Sequence, residues 1–249
     1  MTNLFQQFSN GVSSRLAAID DFASAGGLDA AVDLMVASIE HGGVLHAFGT
    51  GHSAAFAMEI AGRAGGLIPT HRISLDDLVM YGGRDASFLD GGLVERDPSI
   101  VDDLYGLYNV QPADLFLIAS NSGVNGSVVG TALRAKADGH KVIAVTSLEH
   151  TNGVTPKHPS GKRLSEIADV VIDNVAPYGD ATLELGEGVS VGAVSSITAA
   201  YIAQLLTIAT AARLSAPGAP APVYISANIP EGDAHNRALE ARYAGRIKW

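Results

Sequence analysis

The chain has no cysteine among its 249 residues, which excludes disulfide frameworks and thiolate chemistry. Positive charge is scarce: 16 Lys and Arg stand against 26 Asp and Glu, a formal net charge of −10. A nucleic-acid partner needs a basic face, and this balance argues against one. No basic segment followed by an apolar run opens the chain, so no signal peptide is expected and the protein is read as cytoplasmic. The most apolar long stretch, "VGAVSSITAAYIAQLLTIATAARL", is interrupted by Ser195, Ser196, Thr198, Gln204 and Thr207. It reads as a buried core helix, and no membrane partner is expected. The histidines His46, His52, His150, His158 and His235 are scattered, without a His-x-x-x-His pair or an HExxH motif. No metal and no other cofactor is therefore expected.

Apolar residues make up 47% of the chain, enough for a substantial buried core. Leu4, Phe5, Phe8, Val12, Leu16 and Ile19, then Ala31, Leu34, Met35 and Ile39, recur at helical spacing. Two helices are thus predicted ahead of the first strand, "GVLHAF". Four more short apolar runs follow: "LIPTHRI", "DLFLIAS", "KVIAVTS" and "DVVIDN". Helical segments are predicted over residues 53–64, 99–108, 126–138 and 162–168, then a long helix over about 190–213 and a short one over 234–243. Alternation of strand and helix predicts an α/β domain with a parallel sheet and right-handed crossovers. The whole chain reads as one domain. Residues 1–42 form N-terminal helices, 43–213 the core sheet, and 214–249 a C-terminal extension that starts at the Pro/Ala-rich "SAPGAPAP".

Two strand-to-helix loops carry the chemistry. In "FGTGHS", Gly49 and Gly51 allow close approach to the main chain, and His52 and Ser53 open a helix. Ser53 is expected to cap that helix, whose N-terminus favours an anion. Taken alone, the stretch is equally a tight turn. The second loop, Ser120-Asn121-Ser122-Gly123-Val124-Asn125, gathers hydroxyls, amides and a glycine at another helix start. Those neutral donors suit the several acceptor oxygens of a phosphate. Both loops fall at the C-terminal ends of strands, where open α/β sheets bind ligands.

A Gly-x-Gly-x-Ser loop followed by a strand ending in Ser-x-Ser-Gly-x-Asn resembles the sugar isomerase (SIS) domain family. "SLEHT", "HPSGK", "PYGDA" and "GDAHN" are most similar to an uncharacterised bacterial branch labelled phosphoheptose isomerase. The resemblance runs from the helices before residue 43 to about residue 213. It implies a flavodoxin-like three-layer αβα sandwich with a five-stranded parallel sheet. It also implies a phosphorylated sugar as ligand, its phosphate in the 120–125 loop, and homodimers or homotetramers with shared sites. Phosphoheptose isomerases carry a catalytic glutamate at the place of Arg63 and a histidine at that of Glu59. This sequence departs from them at both positions, which leaves their zinc-assisted mechanism without its residues.

Aldose–ketose isomerisation through an enediol needs groups that move protons on carbon and on oxygen. Glu59 is one candidate: it lies about 600° round the helix from Ser53 and about 9 Å further along. An ion pair with Arg63 at i+4 is the alternative for it. His235 is the other candidate, with Asp233 as the expected helix cap before it, in a segment that could cover the site. His150, Lys157, His158, Lys162 and Arg163 form a basic cluster after the fourth strand, on the edge suited to an anion. Tyr178, Asp180 and Glu184 follow the fifth strand on the same edge. A lyase or etherase acting on an amino-sugar phosphate, and a non-catalytic sugar-phosphate sensor, fit the same loops.

Overall fold

The computed structural model describes residues 2–248. Helices α1 (Thr2–Ser24) and α2 (Asp29–Glu40) come first, followed by strand β1 (Leu45–Gly49), whose five residues are all buried. Helix α3 (Ala54–Ile60) leads to β2 (Thr70–Ile73), then to the short helices α4 (Asp77–Met80) and α5 (Val101–Tyr105). Strand β3 (Leu115–Ala119), helix α6 (Gly126–Ala137), strand β4 (Lys141–Thr146), helix α7 (Leu148–Gly153) and strand β5 (Val170–Asp173) complete the main sheet. All its pairings are parallel, in the order β2-β1-β3-β4-β5. The order reverses between β1 and β3, and there the two glycine-bearing loops stand side by side.

Strand periodicity divides the core. Leu45, Ala47, Leu115, Leu117, Ala119, Ile143, Val145 and Ile172 face the layer made by α1, α2, α3 and a later helix, α8 (Ser195–Leu214). Phe48, Ile73, Phe116, Ile118, Val142 and Ala144 face the other layer, with α5 and α6. Alternate residues of each strand point to opposite faces, and both faces are covered, so β1, β3 and β4 are buried almost throughout, whereas the outer strand β2 is Thr-His-Arg-Ile. The three-layer αβα sandwich and five-stranded parallel sheet expected from the sequence are what the chain forms.

Helix α8 is long and apolar enough to cross a membrane by length and composition. Here it turns Ala199, Ile202, Ala203 and Leu206 into the core, and buries Thr198, Thr207 and Thr210 with them. The Thr198 hydroxyl donates to the Ser195 carbonyl at 3.2 Å, so its polar group is satisfied within the helix.

Several element boundaries differ from the predicted ones. The helix expected from about residue 190 begins only at Ser195. Ahead of it, β6 (Ala181–Gly186) and β7 (Val189–Ala193) form an antiparallel hairpin. Its turn uses left-handed backbone at Gly186, Glu187 and Gly188, and "VSV" alternates as a strand does. The Asp180 carboxylate then fixes the helix start, accepting from Ser195 N at 2.7 Å and from the Ser195 hydroxyl at 2.7 Å. The segment expected to be helical over 99–108 is a 3₁₀ turn followed by α5, and that over 162–168 is one 3₁₀ turn, Leu164–Glu166. Helix α9 (Gly232–Glu240) starts before Asp233, which sits in the first turn rather than at the cap.

At the N-terminal edge of the sheet, the buried carboxylate of Asp114 accepts from Val44 N (2.8 Å), Gln111 N (2.8 Å), His46 Nε2 (2.9 Å) and Arg246. Burial disfavours its charge, but the hydrogen bonds and these partners outweigh that and hold the carboxyl below its ordinary range. Arg246 already balances the charge, and burial holds His46 neutral, its pKa lowered. The next imidazole, His71, donates Nδ1–H to the Arg246 carbonyl at 2.9 Å. The chain end then runs beside β2, where Arg72 N donates to Lys248 O at 3.3 Å and the Lys248 ammonium lies 4.1 Å from the Tyr81 ring centre.

Burial lowers the pKa of His71 from 6.5 to about 4, against a smaller opposing effect of its bond to Arg246. Between those values the unfolded chain binds the proton and the folded chain does not, so stability rises with pH across the window. Urea unfolding should show a plateau above about pH 6.5 and a loss of about 3 kcal/mol from His71 alone as pH falls toward 4. His71→Phe should flatten that dependence.

Candidate functional site

The first loop leaves β1 at Gly49, where a Cβ would stand 2.3 Å from Ser53 O and 3.2 Å from Ala119 O. Only glycine lets the two strand ends and the returning turn approach this closely. Gly51 has φ +56° and begins a 3₁₀ turn, Gly51–Ser53, that runs straight into α3. Because that turn precedes the helix, Ser53 already has helical backbone angles and its side chain makes no capping bond. The expected cap is thus corrected: the Ser53 hydroxyl is left to line the crevice beside the loop.

The second loop is folded by its own side chains. Ser120 Oγ accepts from Gly123 N at 3.1 Å, and Gly123 turns left-handed at φ +62°. A Cβ there would meet the Thr151 and Thr146 hydroxyls at 3.0 and 3.1 Å. The 154–164 stretch braces the loop from outside: Leu164 N donates to Gly123 O at 2.8 Å, and Lys157 N to Val124 O at 3.2 Å. Asn121 Oδ1 accepts from Asn174 Nδ2 at 3.1 Å. Asn125 precedes α6 in extended conformation without capping it. Its amide instead donates to Glu95 Oε1 at 3.1 Å, and its Oδ1 is buried without a partner.

His52, Ser53, Ser120 and Asn121 meet at one crevice, whose far wall is Asn174, Ser195 and Ser196. The cavity between them is narrow, about 10 Å³. The start of α8 lines it through Ser195 and Ser196, while α6 begins at the end of the second loop, and the electrostatics of the two starts differ. Asp180 satisfies the start of α8, whereas no side chain caps α6, whose first turn keeps its affinity for an anion. Sequence reasoning missed Asn174, Ser195 and Ser196 as crevice residues, and Glu95 as a neighbour of both loops. Asn174 could have been found as the last polar residue of "DVVIDN" at a strand's C-terminal end. Glu95 lies in the long connection after β2, on the ligand edge, but no motif marks it.

The other predicted residues lie elsewhere. Glu59 accepts from Arg63, the i+4 pairing given above as its alternative, and from Gln204 Nε2 of α8 at 2.6 Å. It stands outside the crevice. His235 shares a hydrogen bond with Val223 O at 2.9 Å, and Val223 pairs with Leu67 ahead of β2. That is the opposite end of the sheet from the loops, so one chain does not bring His235 to the crevice. Within the basic cluster, Arg163 is spent on the carbonyls of Thr151 and Val154, both at 2.9 Å. His150 Nδ1 accepts from Gly179 N at 3.1 Å, close to Tyr178, and Lys157 supports the second loop through its backbone.

A sequence profile described as SIS domain matches residues 7–147, more than half of the chain. The chain belongs to the SIS-domain family. Among its SIS relatives, a UPF0309 protein of Listeria monocytogenes is 36% identical over 211 residues, which span 84% of each chain. One of Brucella canis is 35% identical over 247 residues, 99% of this chain and 98% of the relative. The fold is also similar to solved phosphoheptose isomerases. That of Neisseria gonorrhoeae aligns at TM-score 0.52 and 16% identity, covering 83% of this chain and 98% of its own. That of Francisella tularensis aligns at 0.52 and 16%, covering 84% and 100%.

In this SIS domain, Gly123→Ala should cost about 1–3 kcal/mol through its left-handed backbone and the two threonine hydroxyls. Chemical denaturation measures that cost. Gly139→Ala, also at positive φ but with open space around it, should cost less.

Proposed function

We propose that the crevice binds a phosphorylated sugar and interconverts its aldose and ketose forms through an enediol. The observation that carries this reading is the 120–125 loop. Ser120 and Ser122 offer hydroxyls and Asn125 a further amide hydrogen within the six residues that end at a helix start no side chain caps, with Gly123 turning the loop left-handed. Those donors and the helix dipole suit a phosphate dianion without an arginine fork. Asn121, held by Asn174, adds a fixed amide on the inner side. In the same reading Gly49, Gly51, His52 and Ser53 form the wall along which the sugar carbons lie. The α8 start is already neutralised by Asp180, which directs the ligand's charge toward α6.

Glu59 and His235 stand outside the crevice of their own chain. In this proposal they act across a subunit boundary, in a homodimer or homotetramer, on the protons of the sugar oxygens. The outer sides of α3 and α8 carry exposed Met58, Ile197 and Ile208, an apolar surface suited to a second copy. Transfer of the carbon-bound proton then falls to a carboxylate beside the two loops. A phosphorylated sugar is charged and retained inside cells, and the reading places the protein with it, in the cytoplasm.

The test is a panel of aldose phosphates incubated with the protein in D₂O and followed by NMR. Deuterium at C1 or C2 with ketose formation is the expected outcome. β-Elimination products would replace isomerase by lyase, and binding without exchange would replace it by a sensor. Ser122→Ala should weaken phosphosugar affinity by about tenfold, the loss of one charge-assisted hydrogen bond. An unchanged dissociation constant would remove the phosphate from this loop.

A further inference from the structure

We propose that Glu95 is the catalytic base of this site, the carboxylate that carries a proton between adjacent carbons of the sugar. The assignment rests on the phosphosugar reading above and extends it to a residue outside both glycine-bearing loops.

Glu95 is the carboxylate that touches both loops. Its Oε1 accepts from Asn125 Nδ2 at 3.1 Å, at the start of α6. Its Oε2 lies 3.3 Å from the point a Cβ on Gly51 would occupy. The absence of a side chain at 51 therefore leaves the carboxylate against the first loop, one residue before the crevice-lining His52. Its backbone is clamped as well. The Ser127 hydroxyl donates to Glu95 O at 2.7 Å, and a Cβ on Gly126 would stand 2.3 Å from Arg96 O. The first turn of α6 thus clamps the peptide that carries Glu95, directly after the loop of proposed phosphate donors.

The charge environment suits a base. Glu59 is paired with Arg63, and Asp180 is consumed at the start of α8. Glu95 makes no ion pair among the described residues, and its one side-chain hydrogen bond comes from a neutral amide. Asn125 links this base to the anion site, and its buried, unpartnered Oδ1 can accept from a sugar hydroxyl.

On an open-chain aldose phosphate, Glu95 takes the proton from C2 and the C2–H electron pair becomes the C1=C2 bond. The carbonyl pair moves to O1, which takes a proton, giving the enediol. O2–H then gives up its proton as C2=O forms, and C1 recovers the proton from Glu95. One proton has passed from C2 to C1 and one from O2 to O1, with no net redox change and no co-reactant.

The experiment compares wild type, Glu95→Gln and Glu59→Gln. Exchange into aldopentose, aldohexose and aldoheptose phosphates is measured in D₂O. Affinity is measured with the matching alditol phosphates, which lack the carbonyl. Glu95→Gln should lose about 10²- to 10⁴-fold in exchange and keep alditol phosphate affinity within about threefold. Its amide can still meet Asn125, so its melting temperature should stay near wild type. If it does not, Glu95→Asp keeps the charge but withdraws the carboxylate by one methylene, and should also lose exchange while binding. Exchange within about threefold of wild type in Glu95→Gln overturns the assignment and leaves the isomerase reading standing. Wild type that binds alditol phosphates without exchanging any aldose phosphate overturns both the Glu95 role and the isomerase reading. Wild type that binds none of them overturns the phosphosugar reading itself.

Discussion

Everything at the crevice depends on a carboxylate at the other end of the sheet. Asp114 stands just before β3 and holds the backbone of Val44, just before β1, together with the side chains of His46 and Arg246. A buried charge is tolerable only when its partners are complete, and their geometry is then tightly set. This clamp fixes the register of β1 against β3 at the end where both strands begin. The strands run in step for five residues, about 16 Å, until Gly49 lies beside Ala119. The two loops leave from those paired residues, so their separation is inherited from the clamp.

The sheet was legible in the sequence because its signals are local and redundant. Each of the five apolar runs became a strand of the main sheet, since strands buried on both faces need continuous hydrophobicity. The β6–β7 hairpin was hidden for the opposite reason. Its side chains are half-exposed or exposed, so "VSVGA" reads as the upstream part of the apolar run that becomes α8. What divides strand from helix there is a tertiary bond, the Asp180 carboxylate on Ser195, and Asp180 lies 15 residues earlier. Segments 99–108 and 162–168 carried helical spacing but were too short to hold more than a turn or two without stronger packing.

The site was legible in proportion to how local it is. Each loop has its donors within six residues, and Gly49, Gly51 and Gly123 advertise tight backbone. Asn174, Ser195 and Glu95 arrive from three other connections, and only the strand order brings them to the same edge. Glu59 and His235 show the converse. Both have the chemistry a base requires, yet within one chain Glu59 pairs with Arg63 and Gln204, and His235 with the backbone at the far edge, away from the crevice. A side chain's suitability is written in its type, whereas its availability is decided by neighbours distant in the chain.

The tail that Arg246 anchors has one more effect. β2 is an outer strand of the main sheet, and outer strands offer unpaired N–H and C=O groups to any other extended chain. Residues 246–248 lie along that margin, taking up Arg72 N and the His71 ring. The same charge cluster that holds β1 against β3 therefore also shields part of the β2 edge from pairing with another extended chain.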